Sequence, residues 1–96
     1  MTIAEFQKTI EQIYLERDSQ RGLPKTFLWF IEEVGELSTA LLHNDRNEMK
    51  GEFADVFAWL VSLASIAGID MTEAAQKYAD GCPCCHRAPC ECSQKG

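Results

Sequence analysis

From Thr2 to about Arg21 the apolar residues Ile3, Phe6, Ile10, Ile13 and Tyr14 recur at helical spacing, and Thr2 with Glu5 forms a capping-box pattern ahead of them. A second stripe, Phe27, Phe30, Ile31, Val34, Leu37, Leu41 and Leu42, predicts a helix from Pro24 to about Asn44. Pro24 suits its first turn, where a fixed φ and a missing N–H do no harm. After a polar break at residues 44–47, Phe53, Val56, Phe57, Leu60, Val61, Leu63 and Ala64 predict a third helix from about Asn47 to Ala67. Gly68 supplies a stop, and a short fourth helix is expected from about Thr72 to Ala79, with Glu73 at its positive end. Beyond Gly81 the prolines and cysteines exclude regular structure, and the chain carries no strand pattern and no internal repeat. The fold class is therefore all-α, four helices with the second and third as a long antiparallel hairpin. Gly35 and Gly51 fall inside these helices at a cost of about 0.5–1 kcal/mol each relative to alanine, and a close helix crossing or backbone approach is the expected reason, ahead of a direct ligand role.

A chain of 96 residues allows one domain. Its longest uncharged apolar run, Val56 to Ile69, has 14 residues where a bilayer needs about 20, and the N-terminus lacks the apolar core of a signal peptide. The expectation is a cytoplasmic protein with no membrane partner. A net charge of −6 argues against holding a nucleic-acid polymer through a basic surface. All five cysteines, Cys82, Cys84, Cys85, Cys90 and Cys92, fall after Gly81. That divides the chain into a helical domain, 1–80, and a cysteine-rich tail, 81–96. Cys82-x-x-Cys85 and Cys90-x-Cys92 can wrap one tetrahedral Zn²⁺, with Cys84 and His86 as alternative ligands. In so short a segment, metal binding can supply the ordering energy that apolar burial cannot. The remaining 80 residues are marginal for a lone domain, so a homodimer, or a tetramer of dimers, is expected.

The charge is concentrated. Between Glu32 and Asp55 stand seven acids and two bases. Glu33 and Glu36 share one helix face, as do Glu52 and Asp55, and in an antiparallel hairpin turning near residues 44–46 the two pairs lie at similar heights. Four converging carboxylates repel one another unless cations lie between them, and oxygen ligands without histidine suit Mg²⁺. A di-iron bundle would need Glu-x-x-His pairs, and neither His43 nor His86 follows a glutamate at that spacing. A solvated acidic face is the competing reading.

These residues resemble the MazG-like nucleotide pyrophosphohydrolases of the all-α NTP pyrophosphatase superfamily. The resemblance lies in Glu32-Glu33-Val34-Gly35-Glu36, fifteen intervening residues, then Glu52-Phe53-Ala54-Asp55, and extends through Arg21-Gly22-Leu23, Thr26-Phe27-Leu28-Trp29, Ala58-Trp59-Leu60 and Gly68-Ile69-Asp70. The cysteine tail looks like that of a short subgroup. The resemblance implies hydrolysis of a nucleoside triphosphate between the α and β phosphates, giving a monophosphate and pyrophosphate, with Mg²⁺ or Mn²⁺. By motif position Glu33, Glu36, Glu52 and Asp55 would hold metal, and Glu32 would orient or deprotonate the attacking water.

Trp29 and Trp59 extend the two carboxylate stripes and meet at similar heights, where a base could stack, although packing in a bundle core or interface is the commoner use of tryptophan. Arg17, Arg21 and Lys25 around the first loop and Lys77 on the fourth helix are the bases best placed to meet phosphates. Two rival classes remain: a non-catalytic nucleotide or metal sensor whose zinc tail binds a partner, and a structural dimerisation module.

Overall fold

A computed structural model describes residues 1–93, and residues 94–96 at the end of the cysteine tail lie outside the described residues. The chain forms four α-helices, α1 (Ile3–Arg21), α2 (Leu23–His43), α3 (Arg46–Ile66) and α4 (Met71–Ala75), the last running into a 3₁₀ turn at Gln76–Tyr78. No strand occurs among the described residues. No single helix among the described residues is long and apolar enough to cross a membrane.

Local chemistry sets the boundaries. Thr2 and Glu5 close a reciprocal capping box at the start of α1, where the Thr2 side chain accepts from the Glu5 amide. Gly22, at φ +90°, makes the bend between α1 and α2. Asn44 ends α2 in the left-handed region, and Asp45 caps α3 by accepting from the amides of Asn47 and Glu48. The fourth helix is shorter than its sequence predicts, because the backbone tightens after Ala75 and the Ala79 N–H donates to Gln76 O at 3.0 Å.

The interior is sparse. Among the described residues only Ile10, Ala40 and Val61 are buried apolar residues, and Phe6 stacks on Phe57 at 4.7 Å. Four buried residues are polar: Gln7, Asp18, Thr26 and Ser62. Gln7 fastens the turn between α3 and α4 to α1, since its amide donates to Ser65 Oγ and to Ile69 O while its carbonyl accepts from the Met71 amide at 2.8 Å. Ser65 in turn donates to Glu11 at 2.8 Å. Gly35 and Gly51 do not mark a close crossing within the chain, because each lies on an exposed helix surface and a Cβ at either would meet nothing within 4 Å.

Candidate metal centres and the adjoining cleft

Glu33 and Glu36 project from one face of α2 and Glu52 from α3, and one carboxylate oxygen from each lies within 4.8 Å of the others. Glu33 Oε2 and Glu52 Oε2 are buried without any hydrogen-bond partner. A buried, unpaired carboxylate oxygen is costly, and a cation between these groups would remove that cost. The donor set therefore fits a hard divalent ion. Burial, then the proximity of Glu36, Asp55 and Glu52, pushes the Glu33 carboxyl up to about 7. Burial, with Glu36 and Asp55 nearby, raises Glu52 as well.

Asp55 stands one turn along α3 from Glu52. It lies outside the group of three, yet its charge acts on both Glu33 and Glu52. It also lines a cleft of about 200 Å³ between α1 and α3, whose walls carry Tyr14, Arg17, Asp18 and Arg21 on one side and Trp59 and Ser62 on the other. Trp29 and Trp59 lie parallel with centroids 6.2 Å apart, and the Arg21 guanidinium sits 5.2 Å from the Trp59 ring centroid. Glu32 is exposed and is not one of the grouped carboxylates. Lys25 and Lys77 do not line the cleft, and Lys77 instead lies 5.8 Å from the Tyr78 ring. His43 and Glu48 pair with each other on the surface at 3.0 Å. Sequence reasoning passed over Asp18, although its i, i+3 spacing to Arg21 and its place in the Tyr14–Arg17–Arg21 stripe were a usable signal.

The second centre is the tail. The thiols of Cys82, Cys85, Cys90 and Cys92 all lie within 4.8 Å of one another and could hold a metal ion, whereas Cys84 and His86 stay outside the group. The Sγ separations are 3.8 Å for Cys82–Cys92, 3.9 Å for Cys85–Cys90 and 3.6 Å for Cys82–Cys90. A tetrahedron with about 2.3 Å metal–sulfur bonds has edges of about 3.8 Å. The loop holds this spacing through its backbone: the Cys82 N–H donates to Arg87 O, and the His86 N–H to Cys82 O. Gly81, at φ +99°, permits this closure, because a Cβ there would lie 3.0 Å from the Arg87 carbonyl carbon and oxygen. The Glu91 amide donates to Cys85 Sγ and pulls that thiol down to about 6, while the Cys85 and Cys84 amides lower Cys82. Hydrogen bonding within the crowd, Cys90 first, pushes Cys92 up to about 12. Without a cation the cluster thus retains a proton; with one, all four sulfurs can ligate as thiolates.

The described residues define an acidic, all-helical protein whose central helices bring three glutamates together. A family model for the MazG nucleotide pyrophosphohydrolase domain matches residues 22–86, and the chain belongs to that family. The matched span runs from the start of α2 into the cysteine loop and contains every grouped glutamate. No curated protein matches the chain. Family membership indicates nucleotide pyrophosphohydrolase chemistry in general and a nucleotide as the substrate.

Proposed function

We propose that the protein is a Mg²⁺- or Mn²⁺-dependent nucleoside triphosphate pyrophosphohydrolase that opens the anhydride between the α and β phosphates and yields a nucleoside monophosphate and pyrophosphate. The observation that carries this reading is the Glu33–Glu36–Glu52 group, with two buried oxygens lacking partners, inside the family-matched span. In this reading α2 and α3 are an antiparallel hairpin, and Glu33, Glu36, Glu52 and Asp55 hold the cation. When bound, a divalent ion neutralises the carboxylates and the phosphate oxygens together. Glu32 orients the attacking water and takes its proton, while the bridging oxygen leaves with the bond's electron pair. Glu33, at about 7 without a cation, yields its proton when one enters. The base rests on tryptophan: Trp29 is 45% exposed and offers an open ring, whereas Trp59 is flanked by Trp29 and Arg21. Arg21, Lys25 and Lys77 serve the phosphates.

The tail, residues 81–96, is a structural zinc knuckle appended to a catalytic domain, residues 1–80. The assembly is a homodimer or a tetramer of dimers in the cytoplasm. A chain of 10.8 kDa exposes 7224 Å², where a compact monomer of that mass exposes about 5,500 Å². The excess is larger than the roughly 800 Å² each partner contributes to a standard interface. Leu28 at 68% exposure, Phe53 at 54% and Ile31 at 48% are the apolar surface that such an interface would cover.

Pyrophosphate release from a panel of ribo- and deoxynucleoside triphosphates, with and without Mg²⁺, tests the activity. Turnover of at least one triphosphate is expected with Mg²⁺ and none without it. Nucleotide binding without turnover would make the protein a sensor and overturn the reading.

A further inference from the structure

The acidic group lies between α2 and α3, but the cleft beside it opens toward α1, a helix that precedes the family-matched residues. Tyr14, Arg17, Asp18 and Arg21 step along α1 at intervals of three, one and three, and Asp55, Ala58, Trp59 and Ser62 repeat those intervals on α3. The two helices therefore present stripes of matched spacing across the cleft, charged on α1 and mixed on α3. Asp18 is only 3% exposed in a chain with few buried residues of any kind. Its Oδ1 accepts from Arg21 Nη1 at 2.9 Å, and no other side-chain bond to its carboxylate occurs among the described residues. Arg21 is thus fixed twice, by Asp18 at its edge and by the Trp59 ring, 5.2 Å from its central carbon.

A guanidinium has five N–H donors in a rigid fork that matches a phosphate, and the bond to Asp18 engages one of its nitrogens. Arg17 lies one turn earlier on the same stripe and has no ion-pair partner among the described residues. Asp18 offsets one of the two arginines, so the α1 wall of the cleft keeps a net charge of +1, carried by the unpaired Arg17, opposite Asp55. Asp55 links this wall to the acidic group, because it lines the cleft and its charge reaches Glu33 and Glu52. A polyphosphate engaged by a cation at the glutamates would extend past Asp55 onto the two guanidinium groups.

We infer that Arg17 and Arg21 bind the β and γ phosphates of the substrate, and that Asp18 is the positioning residue that aims Arg21 at them. This rests on the reading of the protein as a triphosphate pyrophosphohydrolase, and the experiment separates the two. Wild-type turnover is measured first, and its absence would remove the activity itself. In the active enzyme, inhibition by inorganic pyrophosphate and by the nucleoside monophosphate is then measured separately. Arg17→Gln and Arg21→Gln should each weaken pyrophosphate inhibition about tenfold, the loss of one charge-assisted contact, and leave monophosphate inhibition unchanged. Asp18→Asn should show the same selectivity to a smaller degree, and adding it to Arg21→Gln should cost nothing more. If Asp18→Asn does not fold, Arg21→Lys, which keeps the charge and loses the fork, should give the same selective loss. Weakened monophosphate inhibition with unchanged pyrophosphate inhibition would assign the wall to the nucleoside and overturn the inference. Unchanged inhibition by both products in the arginine variants would also overturn it.

Discussion

Three carboxylates from two long helices and four thiols from a single loop each converge within 4.8 Å, and the two groups are held together by different means. The glutamates ride on α2 and α3, two 21-residue helices whose apolar stripes set the faces from which they project. Burial first, and then their mutual repulsion, raises the Glu33 and Glu52 carboxyls, and the scaffold bears that cost. The thiols have no such scaffold. Among the described residues their loop contains no helix beyond the turn at Gln76–Tyr78, and it closes through a few backbone bonds and Gly81 at positive φ. The contrast is between a group set by the packing of two long helices and a group set by the closure of one short loop.

The sharpest way to break this contrast is to remove a ligand from the helical site. Glu36→Ala should lower Mg²⁺-dependent turnover at least ~100-fold while leaving helical circular dichroism intact, because deleting one of several like charges relieves repulsion. Turnover at the wild-type level would dissolve the metal assignment. Next in size is the tail. Cys90→Ser should reduce zinc content from about one per chain to none by elemental analysis, leave the helices intact and spare much of the turnover. Absence of zinc from wild-type protein purified without chelator, with all thiols titratable, would make the tail a loose loop.

A smaller effect concerns pH. In the metal-free fold Glu33 stands at about 7 against an ordinary value of 4.5, so between those values the folded chain keeps a proton that the unfolded chain gives up. Its stabilising contribution is whole below 4.5 and is lost as pH rises through 7. Denaturant midpoints of metal-free protein should therefore fall more steeply over this window in the wild type than in Glu33→Gln. The comparison with that variant is essential because the lowered Cys85 thiol acts with the opposite sign. Equal slopes in the two proteins would contradict the burial of Glu33. Smallest of all, Gly35→Ala should stabilise the chain by about 0.5–1 kcal/mol in thermal melts, since a methyl there meets nothing. A loss of stability would place another molecule, a second copy foremost, against that face of α2.

The helices were legible because their signals are local. The capping box at Thr2 and Glu5, the glycine stop at residue 68 and the apolar stripes each need only a few consecutive residues to be read. The glutamate group followed from the same helical spacing. Asp55 was harder, because spacing gives the face of a helix but not which of two neighbouring helices the side chain serves, and here it also lines the α1–α3 cleft. Asp18 was hidden for a related reason: an i, i+3 pair of opposite charges on a helix ordinarily means a solvated bridge, and its burial depends on how α1 lies against α3. Gly35 and Gly51 misled in the opposite direction, since helical glycine suggests close approach and the chain itself supplies no neighbour.

Gln7 ties the α3–α4 turn to α1 through three hydrogen bonds, and that has a bearing on portability. The segment that matches the family begins at residue 22, so a gene fragment cut at that boundary would encode every grouped glutamate yet omit the side chain that anchors the approach to α4. It would also leave the Ile69 carbonyl and the Met71 amide without their partner, and Phe57 without the ring stacked on it. Anyone transplanting this module into a fusion protein should carry the first helix along, because the partners that hold α3 and the approach to α4 lie before the matched span.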